Sequence, residues 1–178
     1  MSELASESSA QRPARSADRA QRGSAGRALE TIIRYYDGCS TGDVDAMLGT
    51  LDPDVVHWFL APNTGSAPVR GGEHLARYWR KVAGMIGARW VVDHALLGST
   101  PDGRDEAVIE WTMFWHPTPG AERVATRGAE WFVLAADGRI AEIRSYYQQR
   151  PQTTELDGFP YADRGYSTPG AERSRLHH

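Results

Sequence analysis

The chain holds a single cysteine, Cys39, in 178 residues. No disulfide framework can form within it, and the composition fits a reducing compartment. A lone cysteine of this kind reads as a small buried apolar residue or as a reactive thiol. No stretch approaches the ~20 apolar residues that a membrane-spanning helix needs. The opening MSELASESSAQRPARSADRAQRGSAG lacks the apolar segment of a secretory signal. Nor is there an excess of one charge: 20 Lys and Arg against 23 Asp and Glu leave −3, so no global basic field points to nucleic acid. The histidines show no ligand spacing, no Cys-x-x-Cys exists, and Walker, dinucleotide-glycine and Ser/His/Asp signatures are lacking. These absences predict a cytoplasmic protein that uses no metal or cofactor and has neither nucleic acid nor membrane as partner.

What is present divides the chain into three stretches. Residues 1–24 are rich in Ser, Ala and Arg with almost no large apolar residue, and are expected to be a disordered tail. An ordered domain is expected over 25–150. Residues 151–178 form an extension without periodicity, made stickier by Phe159, Tyr161 and Tyr166; the closing His177-His178 is given no role. Within the domain, Leu29, Ile32, Ile33 and Tyr36 fall at i, i+3, i+4 and i+7, one face of an amphipathic helix. Asp43 reads as the N-cap of a short second helix. Asp52-Pro53-Asp54 would stop that helix and open a strand, VVHWFLA. After a Pro/Gly loop, Leu75, Tyr78, Trp79, Val82 and Ile86 repeat at helical spacing. Four strand-like runs then follow, ARWVVDHALLG, EAVIEWTMFW, RVATRGAEWFVLA and RIAEIRSYYQQ, separated by turn signals. Helices first and an antiparallel meander after them predict an α+β fold, one curved sheet with helices on one face.

Glu130 is the odd residue of the last hairpin, a carboxylate beside Trp131 and Phe132. Two readings stand. It could pair with Arg127 on a wet face, or it could face an apolar interior, where burial would favour its neutral form. If it points inward, Phe132 shares its face. Asp93, His94 and Glu110 are further ionisable residues inside strands, and only one of Asp93 and His94 can point inward. Six tryptophans are many for so small a domain; they suit a core, or a pocket for a flat apolar ligand.

Three stretches carry a resemblance. They are RYY followed by STGDVDAMLGTLDPDVVHW, then VRGGEHLARYW, then ADGRIAEIRSYY. In order and spacing the chain resembles the nuclear transport factor 2-like (NTF2-like) superfamily over roughly residues 26–150. It looks closest to the SnoaL-like branch, and more distantly similar to ketosteroid isomerases and limonene epoxide hydrolases. The resemblance implies a cone: a curved, mostly antiparallel sheet wrapped around three N-terminal helices, with an apolar pocket inside. By the ketosteroid isomerase pattern, Tyr35 falls on the oxyanion-binding tyrosine and Glu130 on the protonated acid. The base position falls on Phe59, which cannot take a proton. His57, two residues upstream on the same strand face, is the substitute base this implies. The epoxide hydrolase carboxylate of the last strand aligns with Ser145. The family register turns Ile143, Ser145 and Tyr147 inward, and the epoxide hydrolase comparison does the same for Trp111.

Together these readings predict catalytic His57, Glu130 and Tyr35, with Phe59, Trp111, Phe132, Ile143, Ser145 and Tyr147 contacting substrate. The expected activity is cofactor-independent acid/base chemistry, namely isomerisation, cyclisation or dehydration of a small hydrophobic carbonyl- or polyketide-like compound, in a homodimer formed through the open sheet face. The alternatives are a non-catalytic ligand-binding module and a protein-interaction domain, as nuclear transport factor 2 itself is.

Overall fold

Gly42, at φ +71°, turns the chain out of its long first helix, and Asp43 starts the next by accepting a hydrogen bond from the Ala46 amide at 3.0 Å. In this computed structural model, which describes residues 11–61, 66–148 and 169–170, the helices are α1 (Gln11–Thr41), α2 (Val44–Leu48) and α3 (Gly72–Ile86). The strands are β1 (Leu51–Ala61), β2 (Val69–Arg70), β3 (Arg89–Ser99), β4 (Asp105–Trp115), β5 (Val124–Leu134) and β6 (Ile140–Tyr147). The first helix begins upstream of the apolar periodicity, so residues 11–24, expected to be disordered, are helical. Ala, Arg and Gln are good helix formers and need no buried face to extend a helix already nucleated. Residues 1–10 lie outside the described residues. So do Phe159, Tyr161, Tyr166 and almost all of the C-terminal extension.

The sheet order is β2-β1-β6-β5-β4-β3. Its meander β3–β6 is antiparallel throughout, and β1 joins it by running parallel to β6. β2 pairs only at Val56–Arg70 and His57–Val69. Strand β1 starts at Leu51, so the Asp-Pro-Asp expected to precede it lies within it. The result is the expected α+β arrangement, three helices against a curved, unclosed mixed sheet.

The core lies between the helices and the inner sheet face. Ile32, Met47, Leu75, Ile109, Phe132, Leu134, Ile140 and Ile143 are fully buried there. The opposite face carries an ionic and aromatic layer. Arg144 meets Glu106 at 3.2 Å and Glu142 at 3.4 Å, Trp131 meets Tyr146 edge-on at 5.4 Å, and Arg70 lies over Trp58 at 5.3 Å. Arg127 approaches Asp93 (3.8 Å) and Glu110 (3.6 Å) on this face. The wet-face pairing considered for Glu130 is thus made by other carboxylates. A bulge between Val92 and His94 places Asp93 against Thr112, whose hydroxyl donates to it at 2.7 Å; His94 is exposed. Neither Asp93, His94 nor Glu110 enters the interior of the cone.

Candidate active site

Between the helices and the sheet lies a cavity of about 170 Å³. Helix α1 contributes Tyr35, Tyr36 and Cys39, and α3 contributes Tyr78, Trp79 and Val82. The sheet supplies Phe59 from β1, Trp90 from β3, Trp111 and Met113 from β4, Glu130 from β5, and Ser145 and Tyr147 from β6. Strand alternation accounts for the sheet wall: Glu130 opposes Ser145, and Phe59 opposes Ser145 on its other side. Among the described residues no lysine, arginine or histidine lines this space, and Glu130 is the one carboxylic acid that does.

Gly128, two residues before Glu130, opposes Trp111. A Cβ there would stand 2.3 Å from Trp111 Cζ2 and 2.7 Å from the Tyr146 carbonyl oxygen. The missing side chain is what allows the indole to lie against β5 and form part of the wall.

Glu130 is 4 % exposed and holds two partners. Ser145 Oγ donates to Oε1 at 2.5 Å, and the Tyr36 hydroxyl donates to Oε2. Burial raises the proton affinity of this carboxyl, and the two donors oppose the shift by stabilising the anion; the balance stands at about 7. Tyr36 is itself pushed well above the usual phenol value, by burial first and then by the neighbouring carboxylate. At neutral pH Glu130 therefore populates both protonation states while Tyr36 keeps its proton.

His57 sits behind this pair. Its Nε2 meets Ser145 Oγ and lies 3.7 Å from Glu130 Oε1. The ring is wholly buried, stacked on Phe59 at 4.3 Å and 16°, with Trp79 tilted against it at 5.7 Å. Burial drives its pKa down to about 3. His57 does not line the cavity, whereas Phe59, on the same strand face, does.

The predicted residues thus separate into two groups. Tyr35, Phe59, Trp111, Glu130, Ser145 and Tyr147 all face the cavity. Phe132 and Ile143 are fully buried core residues outside its lining, and His57 lies behind the lining residues Ser145, Phe59 and Trp79. Tyr36, not assigned a role from family spacing, is the tyrosine that bonds Glu130. The helical periodicity that placed Tyr36 on the apolar face of α1 was the signal for it. Tyr35 also lines the space, 5.4 Å from Tyr36 ring to ring. Its hydroxyl lies beside Cys39 and Trp79 but meets neither in good hydrogen-bond geometry, and among the described residues the indole nitrogens of Trp79 and Trp111 likewise lack a well-placed partner.

A family model for the SnoaL-like domain matches residues 32–143. No curated protein matches the chain. Among solved structures, a protein of unknown function with a cystatin-like fold from Methylobium petroleophilum PM1 is 31% identical, at a TM-score of 0.58, over 86% of this chain and 94% of its own. The epoxide hydrolase/cyclase-like enzyme SalBIII, of pyran ring formation in the polyether salinomycin, is 17% identical at a TM-score of 0.57, over 70% of this chain and 92% of its own. A Mycobacterium tuberculosis protein in complex with estradiol-17beta-hemisuccinate is also 17% identical, at 0.57, over 68% of this chain and 94% of its own. At 17% identity the last two show a shared fold.

Proposed function

The chain belongs to the SnoaL-like family, and from that premise we propose that it is an enzyme of cofactor-independent acid/base chemistry on a small, uncharged, hydrophobic compound. The observation that carries this is Glu130: a carboxyl with a proton affinity of about 7, set in an aromatic cavity and held by Tyr36 and Ser145. A group whose pKa lies near the working pH serves as general base and general acid with little penalty in either direction. Glu130 takes the role of proton carrier expected of His57 as the substitute base, because Glu130 faces the cavity and His57 does not. Enolisation beside a carbonyl fits this chemistry, as do ring closure and loss of water.

The wall narrows the ligand. With no cationic side chain and one carboxylic acid among the described lining residues, an anionic substrate would meet an uncompensated desolvation cost. An apolar cavity of roughly 150 Å³ admits benzene, so the space of about 170 Å³ suits one ring of a ligand. The reading also includes a cytoplasmic setting and a homodimer formed through the outer sheet face that carries Trp58, Trp131 and Tyr146.

The test is turnover of a panel of neutral cyclic ketones, epoxides and hydroxyketones by the purified chain. A substrate turned over by the parent should lose at least about tenfold in Glu130→Gln. Equal turnover in the variant would overturn the assignment. A second reading, ligand binding without chemistry, draws on Tyr35, Trp79 and Trp111, whose donors lack a well-placed partner among the described residues and suit a ligand oxygen whether or not a proton moves. Tight binding of a panel member with no conversion would select it.

A further inference from the structure

We propose that His57, walled off from the cavity, is a positioning residue: its Nε2–H fixes the direction of the Ser145 hydroxyl and so leaves the proton of Glu130 on the lone pairs that Ser145 does not occupy. The inference rests on the reading of Glu130 as the proton carrier of the site.

A serine hydroxyl has one hydrogen, and here it stands between two groups that could each take it. Ser145 Oγ contacts His57 Nε2 on one side and Glu130 Oε1 on the other, the latter at 2.5 Å. Only two neutral-histidine orders place one hydrogen in each of the two contacts of the chain His57–Ser145–Glu130. In the first, Nε2–H donates to Oγ and Ser145 donates to Oε1. In the second, Glu130 is protonated on Oε1 and donates to Oγ, Ser145 donates to Nε2, and the imidazole proton sits on Nδ1.

The surroundings of Nδ1 decide between them. Nδ1 is buried and has no hydrogen-bond partner among the described residues. The second order would bury an N–H donor there with nothing to accept it, a rarer and costlier arrangement than a bare lone pair. The imidazolium is no escape, since the ring is sealed between Phe59 and Trp79 and burial disfavours its charge. The titratable groups around Glu130 are His57 from β1 and Tyr35, Tyr36 and Cys39 from α1, and none of them supplies a positive charge at neutral pH.

The first order therefore holds in both protonation states of Glu130. The Ser145 hydrogen occupies one lone pair of Oε1 and the Tyr36 hydrogen one lone pair of Oε2. A carboxyl has about four such sites, and the arriving proton takes one of the remaining two. Glu130 lines the cavity, so that proton stays within reach of a ligand instead of passing back toward His57.

Nitrogen-15 NMR of the unaltered protein reads the tautomer directly. The expected result is a neutral His57 ring protonated at Nε2 throughout about pH 5 to 9, where a free histidine would titrate. An Nδ1–H tautomer or an imidazolium in that window would overturn the proposal. Infrared titration of the Glu130 carboxyl adds a second arm. His57→Leu, which removes the donor, should raise the midpoint by about one pH unit. His57→Gln, which keeps an N–H at similar reach, should restore it to within a few tenths. In a Ser145→Ala background, His57→Leu should add nothing further, because the link is already cut. Equal shifts in the Leu and Gln variants, or additivity with Ser145→Ala, would count against the proposal. If the Leu variant does not fold, the tautomer decides alone. None of these readouts needs a substrate, so a failed His57 prediction is distinguishable from a failure to find turnover, which would overturn the catalytic reading itself.

Discussion

The Tyr36 hydroxyl on α1 donates to Glu130 Oε2 on β5, across 94 positions of sequence. Both groups are buried, so the bond is shielded from water and from competing donors. Its partner oxygen, Oε1, is held by Ser145, and each donor favours the carboxylate over the acid. Removing one donor should therefore push the carboxyl further toward its neutral form.

Tyr36→Phe should raise the midpoint of Glu130 by about one pH unit, read from the infrared carboxyl band. Tyr35→Phe should leave that midpoint in place, since the donors to Glu130 are Ser145 and Tyr36. A larger shift in the Tyr35 variant would contradict the geometry described above.

Stability should depend on pH through the same carboxyl. Its folded value of about 7 lies above the ordinary 4.5, so between these the folded state holds a proton that the unfolded chain has released. Stability from this group is full at low pH, falls as pH rises through that window, and is lowest above about 7. His57 works in the opposite sense. Its folded value of about 3 lies below 6.5, so its burial costs nothing above 6.5 and is penalised as pH falls. The two slopes nearly cancel where the windows overlap. Urea titrations of Glu130→Gln against the parent isolate the acid: the stability difference should move in favour of the variant by about 3 kcal/mol between pH ~4 and ~8. A difference that stays flat would mean the carboxyl is not buried in solution.

Gly128→Ala should lower stability by about 1–3 kcal/mol, since the new methyl meets the Trp111 ring and a backbone oxygen at once. Displacement of Trp111 would also reshape the cavity wall. Thermal unfolding together with ligand titration checks both effects, and the same substitution at Gly98, which has open space around it, serves as control.

Ligand selectivity should follow the lining. Trp79, Trp90 and Trp111 surround the space, so intrinsic fluorescence reports occupancy. A neutral cyclic ketone should quench it, and the carboxylate of the same ring should bind at least about tenfold more weakly. Tighter binding of the anion would show that the cavity contains a positive charge that its described lining residues do not supply.

Much of this was legible in the sequence, and the shortfalls have physical reasons. The strands of the meander announce themselves by alternation and by turns such as Ala135–Arg139, closed by the Ala135 amide on the Arg139 carbonyl at 2.8 Å. Strand β2, two residues long, is too short for any pattern to reveal. The inward face of Glu130 could be read from its register. The choice between Tyr35 and Tyr36 could not be made from family spacing, because adjacent helical residues differ by only about 100° in direction and both reach the cavity. His57 shows a different limit. Alternation correctly places it on the inner face, but depth along the strand decides whether an inner residue touches a ligand or lies beneath one. At that depth Phe59 covers it.

The parallel pairing of β1 with β6 has a consequence for how the chain reaches this state. Strand β1 emerges early in synthesis, yet apart from the short contact with β2 its partner is the last strand of the sheet. His57 and Ser145 are 88 positions apart, and closing a loop of that length places their contact among the slow events of folding. Until β6 arrives, β1 presents an unpaired edge with Phe59 uncovered, open to chaperones or to a second nascent chain. Damage in β6 would then appear first as poor recovery of folded protein, before any change in chemistry could be measured.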